Sequence, residues 1–254
     1  MAYGQEKINP YHAGGEKREQ VRAMFDGIAP AYDFLNHVLS FGTDRGWRRT
    51  GVDSLREYSP RSILDLACGT GDFTYLLARS LNPDEIIGCD LSDGMLQVAR
   101  AKQSRQRLTA SQLEHISFVK GDAQELQFAD NRFDAVTIAY GVRNFQDLDA
   151  GLGEMYRVLG RGGHLLVLEL ATPPRFPMRQ LFWLYSHIVM PAIGWIFSRD
   201  RKAYSYLSKT MAAFPQAEKM QEILERTGFV NVRFHRFTFG LCTMFLAEKP
   251  KQVI

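Results

Sequence analysis

The chain of 254 residues has little of three features that would define other classes of protein. Its three cysteines, Cys68, Cys89 and Cys242, are an odd number without CxxC spacing, so they indicate neither a disulfide framework nor a zinc site. No stretch reaches the roughly 18 uninterrupted apolar residues of a membrane-spanning helix. The net charge is only +3, and Lys and Arg are scattered, which argues against a nucleic-acid partner.

The first twenty residues are polar and include acids. They have neither the apolar core of a signal peptide nor the Arg- and Ser-rich, acid-poor composition of a transit peptide. We therefore expect a cytoplasmic protein whose thiols stay reduced and which holds no metal. The length and the 45% hydrophobic content favour one elaborated α/β domain over two separate ones.

Short apolar runs alternate with helix-period segments through the middle of the chain. This alternation predicts βαβ units and a parallel sheet. Two further runs follow near the C-terminus, with only Gly240 between them, and these predict an antiparallel hairpin. The sequence thus predicts a doubly wound, Rossmann-like sheet of seven mostly parallel strands, whose runs are 62–67, 85–90, 116–122, 133–140, 163–170, 230–239 and 241–249.

Segments outside this alternation divide the chain further. Residues 17–58 read as helices broken near Pro30 and Gly42, and between 172 and 215 an aromatic segment with prolines intrudes. We expect a tail and helical cap over 1–57 and a core over 58–254, with the aromatic insertion at 173–215, all within a single domain.

A strand, a glycine loop and a helix start follow one another in LDLACGTGDFT (64–74). Gly69 and Gly71 allow a tight turn and let a ligand lie against bare backbone. Asp90 lies 19 residues beyond Gly71, at the end of the next strand, where a carboxylate can accept hydrogen bonds from ribose hydroxyls. Because ligands bind at the carboxyl ends of parallel strands, this pattern predicts a nucleoside site.

The acids of this site favour a cationic, phosphate-free nucleoside. A dinucleotide site would need a third glycine where Thr74 stands. Asp65, just before the loop, would repel phosphates but suit the methionine amine and the sulfonium, and Asp122 ends the third strand, placed to reach adenine. We therefore predict S-adenosylmethionine. The alternative is that these aspartates only cap helices and loops.

The chain resembles the ubiquinone/menaquinone biosynthesis C-methyltransferase family of class I methyltransferases. YDFLNHVLSFGTDRGW (32–47) and RVLGRGGHLLVLEL (157–170) look like its two signatures, and LDLACGTGD and TIAYGVRNFQD also match. Ala139 stands where many members have a serine. The resemblance implies methylation of a reduced polyprenyl quinone, either demethylmenaquinol, to give menaquinol in the last step of menaquinone biosynthesis, or a benzoquinol of ubiquinone biosynthesis. The donor-binding residues expected from motif and resemblance are Asp65, Gly69, Thr70, Gly71, Asp90, Leu91, Asp122, Ala123 and Ala139.

Two clusters are expected to handle the acceptor ring. Arg143 stabilises a developing phenolate and Asn144 positions a hydroxyl or a water, unless Arg143 merely pairs with an acid such as Asp147. Tyr32 and Asn36 share a helix face that closes over the ring. Asp33 is expected to pair with Arg143 or to accept a proton. The alternative for Tyr32, Asp33 and Asn36 is that they only cap the helix and hydrogen-bond the cap to the core.

The aromatic segment 181–197 suits a membrane interface or the tail of a lipid quinol. It contains Trp183, Trp195 and Phe197, and basic residues such as Arg199 flank it. The alternative is a buried helix pair over the sheet. The partners expected are therefore the lipid quinol and, transiently, a membrane surface, and a homodimer stays open. Two rival functions are a methyltransferase of soluble small molecules and a non-catalytic binding module.

Overall fold

A seven-stranded mixed sheet forms the centre of the chain. The structure, a computed structural model, describes residues 2–11, 14–189 and 201–252. The strand order is 3-2-1-4-5-7-6, with only β7 antiparallel to its neighbours, and this confirms the predicted doubly wound sheet. The strands are β1 (Ser62–Leu66), β2 (Glu85–Asp90), β3 (Ile116–Lys120), β4 (Phe133–Ala139), β5 (Leu159–Leu170), β6 (Val230–Phe237) and β7 (Cys242–Glu248).

Helices precede the sheet, cover both of its faces and interrupt it before the last two strands. Ser92 and Asp147 start two of them by accepting the N–H of Met95 and Ala150, which the first helical turn leaves without partners. The helices are α1 (Lys17–Ile28), α2 (Tyr32–Leu39), α3 (Asp44–Leu55), α4 (Asp72–Leu81), α5 (Asp93–Lys102), α6 (Ala110–Glu114), α7 (Leu148–Val158), α8 (Met178–Leu184), α9 (Arg201–Ala213) and α10 (Glu218–Thr227).

Each face of the sheet has its own apolar core. On one face α7 and α10 bury residues such as Leu152 and Leu224, and on the other α3, α4 and α5 bury Leu55, Leu77 and Leu96. Each such leucine contributes about 1.5–3 kcal/mol relative to exposure. The strands between these cores are therefore apolar on both sides, which leaves their carboxyl ends as the edge where polar groups meet.

Boundaries differ from the predicted ones where local pairing overrides composition. β5 begins at Leu159, four residues early, because Leu159 pairs with Phe133 across a register shift. The hairpin joining β6 and β7 uses a 3₁₀ turn, Thr238–Gly240, rather than a single glycine. The N-terminal helices break as expected, at a 3₁₀ turn containing Pro30 and again before Asp44.

The aromatic insertion is only partly described. α8 continues into a π-helix, Tyr185–Val189, and α9 resumes at Arg201. The predicted interface residues Trp195, Phe197 and Arg199 lie outside the described residues. Among the helices that are described, none is both long and apolar enough to cross a bilayer.

Candidate active site

The glycine loop after β1 is shaped by two residues with positive φ, Gly69 at 55° and Gly71 at 80°. A side chain at Gly71 would also lie 3.0 Å from the Phe118 ring, so both conformation and packing require glycine there. The N–H of Gly69 donates to Asp90 Oδ2 at 2.8 Å. The loop is thereby fixed to the end of β2.

A cavity of about 740 Å³, part of it open to solvent, lies at the carboxyl ends of β1, β2, β3 and β4. We call it the strand-end cavity. Six of the nine predicted donor-binding residues lie in its wall, and Asn144 and Tyr32 also reach it. Those six residues are Gly69, Asp90, Leu91, Asp122, Ala123 and Ala139.

Asp90 is the most buried acid in this wall. Its two carboxylate oxygens accept the N–H groups of Gly69 and Ser92. Burial raises the pKa of Asp90 to about 6, although these two hydrogen bonds favour the ionised form. Since a carboxylate has about four acceptor positions, Asp90 keeps capacity for a ligand hydroxyl.

Asp122 closes the same wall from the end of β3. Its carboxylate accepts the N–H of Gln124 and lies 3.4 Å from Arg18 of α1. Helix α1 also contributes Val21 and Phe25 to the cavity. The N-terminal helix therefore covers the strand-end cavity, which the sequence alone did not reveal for these residues.

Asp65, Thr70 and Gly71 lie behind the cavity rather than in its wall. The Asp65 carboxylate accepts the hydroxyls of Thr74 and Thr137 at 2.6 and 2.8 Å, and burial raises its pKa to about 6. The Thr70 hydroxyl donates to Asp33 of α2. These three residues thus fix the loop from behind.

A second cavity, of about 1070 Å³ with part of it open to solvent, lies between the N-terminal helices and the insertion, and we call it the apolar cavity. Tyr32 and Tyr140 line both cavities, so the two meet there. Its few ionisable groups include Arg48 and Arg143. Its apolar lining is Trp47, Phe41, Leu170, Met178, Leu181, Phe182, Leu207, Met211 and Leu241.

Arg143 is held in the wall of the apolar cavity by a buried acid. Glu169 of β5 pairs with its guanidinium and accepts its backbone N–H, and the carbonyl of Tyr140 accepts a further hydrogen bond at 2.6 Å. The suggested partners Asp147 and Asp33 are therefore wrong. Asp147 instead caps α7.

The Arg143 and Asn144 side chains still have polar atoms to offer. Arg143 Nε and Asn144 Oδ1 are buried and make no hydrogen bond within the described part of the chain. Such atoms cost free energy unless a ligand or water satisfies them. Asn144 lines the strand-end cavity and Arg143 the apolar one, so the pair stands where the two meet.

The three residues predicted on α2, Tyr32, Asp33 and Asn36, do not all face the same cavity. Tyr32 and Asn36 both line the apolar cavity, and a hydrogen bond from Asn36 opposes the burial that raises the Tyr32 pKa. Asp33 turns the other way, pairing with Lys102 at 2.5 Å and accepting from Thr70. The expected pairing of Asp33 with Arg143 is thus replaced by a tie between α2 and the glycine loop.

Sequence reasoning missed Glu169 and Arg48. The signal for Glu169 was available, because an acid inside the apolar run LLVLEL must have a buried partner. Arg48 gave no such signal, since its position in the cavity depends on how α3 packs against α4, β5 and β7.

A glycine loop tied to a strand-end acid, within a 3-2-1-4-5-7-6 sheet, defines a class I S-adenosylmethionine-dependent methyltransferase. The model of the ubiE/COQ5 methyltransferase family matches residues 13–249, and the chain belongs to that family.

Individual relatives agree with this assignment. The chain is 54% identical to a demethylmenaquinone methyltransferase from Bacteroides fragilis, covering 98% of this chain and 100% of the relative. It is 42% identical to one from Deinococcus radiodurans, covering 92% and 94%. A solved SAM-dependent methyltransferase from Thermotoga maritima shares the fold, with a TM-score of 0.63, 18% identity and coverage of 89% and 99%.

Proposed function

We propose that this chain transfers the methyl group of S-adenosylmethionine to a ring carbon of demethylmenaquinol, the last step of menaquinone biosynthesis. The observation that carries the proposal is the junction of two unlike cavities at Tyr32 and Tyr140, one edged by acids and the other large and apolar. The demethylmenaquinone methyltransferases among its relatives support a naphthoquinol over a benzoquinol ring.

The donor occupies the strand-end cavity in this proposal. Asp90 accepts a hydrogen bond from a ribose hydroxyl, using acceptor capacity that Gly69 and Ser92 leave free. Adenine lies near Leu91, Asp122 and Ala123. The methionine part runs along Gly69 and Ala139, whose own side chains leave room for it.

Asp65, Thr70 and Gly71 act on the donor from behind the loop. Gly71 and Thr70 hold the loop in position, since one is packed against Phe118 and the other is bonded to Asp33. Asp65 brings a carboxylate close to the loop without contacting the cavity, and its ionised form favours a cationic sulfonium and amine over phosphates.

The acceptor ring lies in the apolar cavity, with one hydroxyl at Arg143 and Asn144. Loss of that hydroxyl's proton pushes electron density onto the neighbouring ring carbon, which attacks the methyl group. The sulfur leaves with the electron pair of the broken C–S bond, and the ring carbon gives up its hydrogen as a proton. As the ring regains its aromaticity the oxygen takes a proton back, so one proton is released in total, and S-adenosylhomocysteine is formed.

Arg143 acts by electrostatics in this reaction. A guanidinium stays charged, so it stabilises the phenolate rather than accepting its proton. Glu169 fixes its orientation in advance, which lowers the reorganisation needed in the transition state. Asn144 and Tyr32 orient the hydroxyl and the ring at the junction.

The cap, core and insertion work as one domain in this proposal, with cap 1–57, core 58–254 and insertion 173–215. Asp26 of α1 joins the cap to the core, because it accepts hydrogen bonds from Ser92 and from the N–H of Gly94 at the start of α5. The insertion is supported by α8, which supplies part of the apolar wall.

The lipid tail leaves the apolar cavity past an exposed apolar surface. Trp183, Leu184 and Ile188 are each about half exposed, beside the cavity-lining residues Leu181 and Phe182. Such a surface next to a lipid-binding cavity fits contact with a bilayer. We therefore propose a cytoplasmic protein that works peripherally at the inner face of the cytoplasmic membrane.

Charging the exposed surface tests the membrane contact. Trp183→Glu should lower kcat/KM on a long-tailed quinol in vesicles about tenfold, because the variant loses part of the free energy of burying this side chain in the bilayer. A tail-free analogue in buffer should react as with wild type. Gln127→Glu, an exposed position before β4, serves as the control. Equal losses on both substrates would contradict membrane contact.

One assay tests the reaction. Purified protein is incubated with methyl-labelled S-adenosylmethionine and either reduced demethylmenaquinone or its reduced benzoquinone counterpart, and the product mass and methyl position are determined. We expect label on the naphthoquinol ring carbon beside a hydroxyl. Label on oxygen, or no label on either quinol, would refute the proposal.

A further inference from the structure

A second set of unsatisfied polar atoms lies in the apolar cavity, formed by Arg48 of α3 and Tyr140 at the end of β4. The Tyr140 hydroxyl is buried and lies beside the Arg48 guanidinium, whose carbon is 5.4 Å from the Tyr140 ring centre. The two side chains interact with each other, but neither Tyr140 Oη nor Arg48 Nε makes a hydrogen bond of good geometry within the described residues. Tyr140 as a whole is only 7% exposed.

The structure keeps these two groups in place at some cost. Tyr140 has a φ of 63°, in the left-handed region that a tyrosine rarely adopts. Arg48 is held by two acids, with Asp44 at 3.6 Å and Asp72 at 3.4 Å, so its charge is compensated while Nε stays unused. Strained and unsatisfied groups of this kind concentrate where a ligand completes them.

Tyr140 connects the two arginines of the cavity. Its backbone carbonyl accepts a hydrogen bond from Arg143, and its ring lies against Arg48. The two guanidinium groups therefore contact different parts of one tyrosine, its backbone and its ring, and both line the same cavity. A hydroquinone ring likewise carries two hydroxyl groups at opposite ends.

We propose that Arg48 and Tyr140 bind the ring hydroxyl remote from the methylated carbon, while Arg143 and Asn144 bind the hydroxyl beside it. The remote hydroxyl accepts from Arg48 Nε and donates to Tyr140 Oη, so both buried atoms gain partners. Since burial keeps the pKa of Tyr140 well above its ordinary value, the phenol is neutral and can take part. This assignment rests on the proposed function and adds the residues that orient the ring.

Holding both ends determines which ring carbon faces the methyl group. With one hydroxyl bound, the ring could turn about that contact and present other edges. With two bound at fixed positions, only the carbon next to the Arg143 side reaches the junction with the strand-end cavity. Arg48 and Tyr140 are therefore positioning residues for the reaction.

The test compares two acceptors with the same prenyl tail. One is demethylmenaquinol, and the other is the 1-naphthol analogue that lacks only the remote hydroxyl. For Tyr140→Phe we expect kcat/KM on the diol to fall about tenfold, the effect of one lost hydrogen bond to a buried group. On the naphthol it should stay within about twofold of wild type, so the diol-to-naphthol ratio falls.

Two further variants sharpen this comparison. Arg48→Lys keeps the charge between Asp44 and Asp72 but removes Nε, and the same selective loss on the diol is expected. Tyr156→Phe removes a phenol hydroxyl that lines neither cavity, and its ratio should equal that of wild type. An unchanged ratio in Tyr140→Phe, whether both activities fall together or neither does, would overturn the assignment. If wild type methylates neither acceptor, the proposed function itself fails.

Discussion

The strand-end cavity and the apolar cavity are built in opposite ways. The strand-end cavity uses residues that directly follow four consecutive strands, and its decisive groups are carboxylates tied to backbone N–H groups, such as Asp90. The apolar cavity collects side chains from α2, α3, α8, α9 and β5, and its charged groups are Asp44 and two arginines, each of which pairs with an acid. In our proposal the strand-end cavity binds the donor by charge and hydrogen bonds, whereas the apolar cavity buries the ring and uses its two arginines to hold the hydroxyls.

This contrast predicts that single substitutions affect one half without the other. The largest effect should come from Arg143→Lys. Lysine keeps a cation beside Glu169 but loses the unused Nε, so stabilisation of the phenolate is lost and kcat should fall on the order of 10²–10³-fold. Donor affinity, measured by calorimetry without quinol, should stay within about twofold of wild type.

The control for this substitution is Arg132→Lys, an arginine that pairs with Glu85 outside both cavities. It should leave kcat unchanged. A parallel loss of donor affinity in Arg143→Lys would show that the two halves are not separable.

Asp90→Asn should have a smaller effect, and it should affect donor binding rather than the quinol half. The carboxylate accepts hydrogen bonds from the backbone N–H groups of Gly69 and Ser92. The amide has no charge, and its NH₂ group would face one of these two donors, so that hydrogen bond is lost. The Kd for S-adenosylmethionine should rise on the order of 10–100-fold, as for loss of hydrogen bonds to a charged group. At saturating donor, KM for the quinol should change less than about twofold.

Asp93→Asn is the matched control, because Asp93 lies three residues away but pairs with Lys120 at the surface. Its Kd should match that of wild type. Should both variants bind the donor equally well, Asp90 would not be the ribose ligand.

The pH dependence of donor binding should show the smallest of these effects. Burial raises the pKa of Asp90 to about 6, so its carboxyl is ionised at pH 7.5 and mostly protonated at pH 5. Donor affinity should therefore be constant above pH 7 and fall about tenfold per unit well below pH 6. The residues assigned to the quinol include no carboxyl group.

Titrations between pH 5 and 8 check this prediction. Asp90→Asn should flatten the profile, and any slope that remains reports Asp65, whose pKa burial also raises to about 6. A profile of wild type that is flat down to pH 5 would contradict an ionised Asp90 as donor ligand.

The same contrast explains what the sequence could predict. The sheet, the glycine loop and the strand-end acid Asp90 follow from local patterns, because alternating runs and glycine spacing act over a few residues. Glu169 as partner of Arg143, and Lys102 as partner of Asp33, depend on pairing between distant strands and helices. The place of Arg48 in the apolar cavity depends on side-chain packing, for which a single sequence has no short-range signal.

The most direct test of the two-cavity account is a crystal structure of the chain with S-adenosylhomocysteine and demethylmenaquinol bound together. The account predicts the adenosine against Asp90 and Asp122, the ring in the apolar cavity, and the sulfur facing a ring carbon between Tyr32 and Tyr140. A donor bound among the insertion residues, or a ring lying outside the apolar cavity, would contradict it.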